Sequence, residues 1–330
     1  MPLPTANNEM KLPSCFRKHN LVETQFANLG KSKRRSGFRR LAYCKIEGTK
    51  RPGIIYVPGY FSRMYIAKAN VLEEYCLKNG YSFIKYDPEG IGESRTDSEV
   101  SFTEWYEDAC YVVEHLTDGP QILVGPSNGA WMSLLLAAKY PGRVHSMVML
   151  APAVNHGLDD DLFERLLQAL DKETADRVRA GETIRFGSNW GVEVTASKRF
   201  LAEMKEFRIN MKEPLDVKCP VRIIHAMQDQ SIHWENCLQL LDAVPHEDVR
   251  LYLKKRGNHR LMAEEDLRLE IAVVEELLTQ FPAPSVPAAS VSANAHLPAL
   301  PQALMDGLMS EMGKRRTLAG QGRGLMRSKL

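Results

Sequence analysis

Apolar residues recur along this chain with two periods. Short continuous apolar runs, as in strands buried on both faces, stand at 53–57, 81–86, 121–124, 146–150, 221–226 and 249–253. Between them apolar residues fall three and four apart, as on one helix face. Ile66, Ala69, Leu72, Tyr75 and Cys76 do so within 65–79, and Trp105, Ala109, Val112, Val113 and Leu116 within 102–117. Further helices are expected over 128–140, about 235–243 and about 264–280. Asn79-Gly80 and Pro141-Gly142 supply stop signals. Residues 41–46 read as an edge strand. Strands alternating with helices predict an α/β fold, a mostly parallel sheet with helices on both faces.

The alternation breaks between 155 and 210. Residues 158–169 and 172–179 have helical spacing, and 184–197 reads as a hairpin around Gly187-Ser188-Asn189. An insertion between two core strands predicts a small cap over the carboxyl ends of the sheet. Its apolar stripe, Leu158, Leu162, Phe163, Leu166, Leu167 and Leu170 with Trp190, faces either the core or the site. The expected organisation is a basic, unstructured arm over 1–40, a capped catalytic domain over 41–281, and a tail over 282–330. The tail opens on Pro282-Ala283-Pro284-Ser285-Val286-Pro287, a linker composition, and no chemistry is expected of it.

One stretch concentrates the chemistry. The apolar run Ile122-Leu123-Val124 ends in Gly125-Pro126-Ser127-Asn128-Gly129, and a helix-forming run follows. Strand, Gly-x-Ser-x-Gly and helix make a nucleophile elbow, with the serine on a strained turn and the glycines where strand and helix crowd. A serine hydroxyl needs a base to take its proton and a third group to orient that base. In this sheet order the partners follow as acid and then histidine. Asp229 lies in the loop after 221–226 and His259 in the loop after 249–253, so both open on the edge where Ser127 stands. The backbone N–H of Asn128, after the nucleophile, and that of Tyr60, in the loop after 53–57, are the expected oxyanion donors. The run 87–94 with Gly90 and Gly92 reads as a structural turn held by Asp87, not as a dinucleotide fingerprint.

Composition narrows the rest. A net charge of +2 gives no polyelectrolyte case for nucleic acid. The cysteines at 15, 44, 76, 110, 219 and 237 form no Cys-x-x-Cys pair, so neither a metal nor a redox motif is implied. No run of eighteen apolar residues exists to span a membrane. Residues 1–40 hold nine Lys or Arg against Glu9 and Glu23, a bias shared with mitochondrial transit peptides; the alternative is a basic arm on a cytoplasmic protein.

Together Pro58-Gly59-Tyr60, Asp87 with Gly90, Gly92 and Ser94, the run Asp118-Gly119-Pro120-Gln121 leading into the elbow, His225-x-Met227-x-Asp229 and His259-Arg260-x-Met262 resemble a family of mitochondrial α/β-hydrolases over about residues 38–280. Its members are described as palmitoyl-protein thioesterases and acyl-glucuronide esterases. The resemblance implies the α/β-hydrolase fold with a triad at Ser127, Asp229 and His259. It further implies no metal or organic cofactor, and an acylated protein or small acyl molecule as substrate. The chain departs from the family elbow at Asn128 and Ala130. The expected function is hydrolysis of acyl thioesters or esters through an acyl-serine, by a monomer. The alternatives are a general carboxylesterase or lipase, and a non-catalytic binding protein of the same fold.

Overall fold

A computed structural model describes residues 21–32, 37–96, 99–158, 164, 167–168, 170–187 and 193–283. An eight-stranded sheet forms its centre. In chain order the strands are β1 (Gln25–Lys31), β2 (Phe38–Ile46), β3 (Lys50–Tyr56), β4 (Tyr81–Asp87), β5 (Gln121–Pro126) and β6 (Val144–Leu150). Strands β7 (Ile184–Gly187) and β8 (Glu193–Ala196) pair with each other alone, and β9 (Val221–Ala226) and β10 (Val249–Lys254) complete the large sheet. Its order is β1-β2-β4-β3-β5-β6-β9-β10, parallel from β4 onward and antiparallel at β1 and β2.

The helices are α1 (Ala67–Asn79), α2 (Phe102–Tyr111, continued by a π-helical turn over Val112–Leu116), α3 (Asn128–Lys139), α4 (Lys172–Arg179), α5 (Lys198–Glu206), α6 (Asn236–Ala243) and α7 (Glu264–Gln280). They cover both faces because central strands send alternate side chains to opposite sides. Ile55 and Leu123 pack on one face with Trp105, Trp131 and Leu240. Ile54, Ile122 and Val124 pack on the other with Leu72, Val274 and Leu277. Gly80 ends α1 in the left-handed region at φ 78°, donating to the Cys76 carbonyl, as Asn79-Gly80 predicts. The expected α/β-hydrolase architecture is therefore observed, and five cysteines are free and buried among the described residues.

The structure differs from the sequence reading at its start. Residues 25–31, assigned to the basic arm, form β1, so β1 and not the strand at 41–46 is the sheet's edge. β1 is half exposed throughout and shows no clean alternation, hence its silence in the sequence. Arg39 also belongs to the fold: it is buried, with Nη2 donating to Asp108 at 2.6 Å and to the Glu104 carbonyl at 2.9 Å.

The insertion after β6 contains α4 and the β7–β8 hairpin where expected, and α5, which was not foreseen. Ser197 caps α5, accepting from the Phe200 N–H at 3.2 Å. Phe200 then packs edge-on against Trp105, ring centroids 5.0 Å apart, and close to Phe61 at 5.6 Å. Glu203 accepts from Ser101 Oγ at 2.6 Å. These contacts fasten α5 beside the loop after β3.

Candidate active site

Ser127 occupies the tip between β5 and α3 at φ 52°, ψ −119°, a conformation a non-glycine residue avoids unless its surroundings enforce it. The surroundings do so. Its N–H donates to the Leu150 carbonyl at 2.8 Å, and its own carbonyl accepts from Ala130 and Ala153 at 3.1 Å each. The flanking glycines are there for space. A Cβ on Gly129 would lie 2.2 Å from the Val57 carbonyl oxygen, and one on Gly125 would lie 2.4 Å from the Gly129 carbonyl oxygen.

Three side chains from three loops meet here. His259 Nε2 lies 3.0 Å from Ser127 Oγ, and His259 Nδ1 lies 2.7 Å from Asp229 Oδ2. A carboxylate only accepts, so Nδ1 carries the proton and Nε2 is left to accept from the serine hydroxyl. The other Asp229 oxygen accepts from the Ser231 and Ile232 N–H groups at 2.8 and 2.9 Å. Burial by itself would push the Asp229 carboxyl up. The His259 hydrogen bond and the two N–H donors outweigh it and hold the carboxyl below its ordinary range. The parallel register of β9 with β10 sets the two loops side by side, Ala226 opposite Lys254. His225, buried at the end of β9, lies 3.7 Å from Asp229 but not at hydrogen-bond distance, and burial holds its imidazole below the usual histidine range.

Asn128 opens α3, and its N–H is one of those a helix leaves without an internal acceptor. The loop 58–62 passes beside it: a Cβ on Gly59 would lie 3.6 Å from Ser127 Cβ, and Ser62 N–H closes a turn onto the Gly59 carbonyl at 3.0 Å. Neither the Tyr60 nor the Asn128 N–H has an acceptor among the described residues. The Asn128 N–H, at the helix N-terminus directly after the serine, can hold developing negative charge, and Tyr60, the other expected donor, lines the same cavity. The turn at 87–94 is structural as expected: Asp87 accepts from the Met64 and Glu93 N–H groups at 2.6 and 2.8 Å, and its carboxylate packs where a Gly92 Cβ would be.

Ser127 and His259 open on a cavity of about 520 Å³. Its apolar lining includes Phe61, Ile91 and Met204, the last from α5. The cap's apolar stripe, expected to face either the core or the site, packs away from the cavity where it is described. Leu158 joins the main core, and Leu167 forms a small cluster with Ala175 and Val178. Leu162, Phe163, Leu166 and Trp190 lie outside the described residues. Sequence reasoning missed Met204 and the buried Lys68 as lining residues. The spacing of Phe200 and Met204 after Ser197 was a readable helix signal for the first; nothing marked the second.

Residues 51–266 match the family described as serine aminopeptidase, S33 (Hydrolase_4). The chain is 34% identical over 250 residues to mouse "Palmitoyl-protein thioesterase ABHD10, mitochondrial", covering 75% of this chain and 82% of that protein. The human protein of the same name is 33% identical, over 82% of this chain and 84% of its own. The solved structure of mouse α/β-hydrolase domain-containing protein 10 superposes with a TM-score of 0.64 at 30% identity, covering 78% of this chain and 99% of the other. A hydrolase structure from Agrobacterium vitis superposes with a TM-score of 0.67 at 26% identity, covering 78% and 98%.

Proposed function

The chain belongs to the Hydrolase_4 family of α/β-hydrolases and is a serine hydrolase, and from that membership we propose that it cleaves acyl thioesters, including S-acylated protein, through Ser127, His259 and Asp229. The observation that carries the reading is the unbroken hydrogen-bond chain from Ser127 Oγ through His259 to Asp229, opening on a cavity with an apolar wall. Ser127 Oγ attacks the acyl carbon as His259 Nε2 takes its proton. The tetrahedral oxyanion sits against the Asn128 and Tyr60 N–H groups. The C–S bond then breaks, and the sulfur leaves with the proton held by His259. Water, deprotonated by His259, releases the acid from the acyl-serine. Asp229 keeps the imidazole in the required tautomer throughout. The acting unit in this reading is a monomer, since one chain suffices to supply the three groups.

Phe61, Ile91 and Met204 form the acyl-binding wall. Each buried methylene contributes about 0.8 kcal/mol, so two added carbons raise kcat/KM by roughly an order of magnitude until the wall ends. The test is a series of acyl thioesters and matched oxygen esters from acetyl to medium chains. A rise with length, with thioesters ahead, is expected. A flat series or strict preference for acetyl would contradict the lipid-acyl reading and favour a small-ester hydrolase. The same reading assigns the protein to mitochondria, supported by the relatives' names and by the basic bias of its first residues.

A further inference from the structure

A general acid must reach the atom it protonates, so the leaving group lies against the His259 loop. The charges on that side are of one sign. Arg260, the residue after His259, lines the cavity, with Lys68 from the first turn of α1 and Arg63 from the loop before it. No Asp or Glu is among the described lining residues. Lys68 is buried, and its Nζ donates to the Arg260 carbonyl at 2.6 Å, tying α1 to the His259 loop. Arg63 and Arg260 are exposed, and neither forms an ion pair with a described residue.

The neighbouring acids are withheld from the cavity. Asp229 is bound to His259 and two N–H groups. Asp87, whose charge Arg63 feels, is buried and bound to the Met64 and Glu93 N–H groups. Glu270, whose charge Lys68 feels, is buried on α7 and does not line the cavity. The apolar lining residues Phe61, Ile91 and Met204 also belong to the core cluster that holds Trp105 and Phe200.

We propose that the leaving group of the preferred substrate carries negative charge, which Arg63 and Arg260 bind beside the scissile bond. The proposal rests on the thioesterase reading and specifies its substrate. Two arginines on separate loops suit an extended anion, a thiol bearing phosphate or carboxylate groups.

The test gives the full-length protein three octanoyl thioesters that differ only in the thiol: coenzyme A with phosphates, glutathione with carboxylates, and uncharged N-acetylcysteamine. At low salt the better of the two anionic substrates should exceed the neutral one in kcat/KM by roughly tenfold or more, chiefly through KM. That advantage should shrink at about 0.5 M salt, where exposed charges are screened. In Arg63→Ala/Arg260→Ala, with melting temperature checked, the anionic-to-neutral ratio should fall toward one. Whichever anionic thioester leads identifies phosphate or carboxylate as the recognised group. Equal kcat/KM for all three, or a ratio indifferent to salt and to the double substitution, overturns the proposal. Turnover of none of them overturns the thioesterase reading itself, and this proposal with it.

Discussion

Replacing Asp229 with asparagine isolates the role of one proton. In the native site Asp229 Oδ1 holds the Ser231 and Ile232 N–H groups and Oδ2 faces His259 Nδ1 at 2.7 Å. Asparagine keeps its single oxygen on the two N–H donors and turns its amide NH₂ toward Nδ1. Nδ1 must then accept, so the imidazole proton moves to Nε2, which faces Ser127 Oγ at 3.0 Å. The base has lost its lone pair where it is needed. A wrong tautomer in such a triad lowers kcat by about 10⁴, which is about 5 kcal/mol of transition-state stabilisation. The buried group stays hydrogen bonded, so the fold should lose no more than about 1 kcal/mol. Initial rates on an octanoyl thioester, with thermal melts as control, measure both quantities. Adding His259→Ala should cost little more, because groups acting as one unit are not additive. An Asp229→Asn enzyme within tenfold of wild type, or losses that multiply in the double variant, would refute this assignment.

Three further outcomes follow from the same geometry. Gly129→Ala drives a Cβ to 2.2 Å from the Val57 carbonyl oxygen, and should cost about 2 kcal/mol or more in urea unfolding together with activity. Burial holds the imidazoles of His225 and His145 below the usual histidine range. The unfolded chain therefore takes up their protons first, and stability present above pH ~6.5 should be lost as pH falls from there through the folded values. His225→Gln should flatten this slope by up to about 1.4 kcal/mol per pH unit, read from urea midpoints across pH. Residues 1–24, which precede β1, should carry a fused reporter into mitochondria, and a cytosolic reporter would contradict that reading.

The parts of the site legible in the sequence are those fixed by strand order. Ser127, Asp229 and His259 each follow an apolar run, and parallel strands bring the residues after them to one edge. Local interactions also leave marks, so the elbow glycines, the Gly80 cap and the Asp87 turn could be read from residue type and spacing. Features decided by tertiary packing left none. Lys68 carries a charge that reads as solvent-facing on a helix, yet it is buried where the Arg260 carbonyl accepts from its Nζ and the carboxyls of Glu270 and Asp266 act on its charge. β1 pairs through its backbone while its side chains stay half exposed. The apolar residues at 158 and 167 could not tell core from cavity, because a helical stripe is apolar in either case.

The central claim is that the Ser127 hydroxyl is activated, and labelling by a fluorophosphonate tests it most directly. Intact mass and peptide mapping after exposure of the full-length protein should find one adduct, on the peptide containing Ser127. Labelling should be absent in a Ser127→Ala variant that melts like wild type. A folded wild-type protein that takes no label, or one in which the adduct persists after Ser127→Ala, would contradict the account.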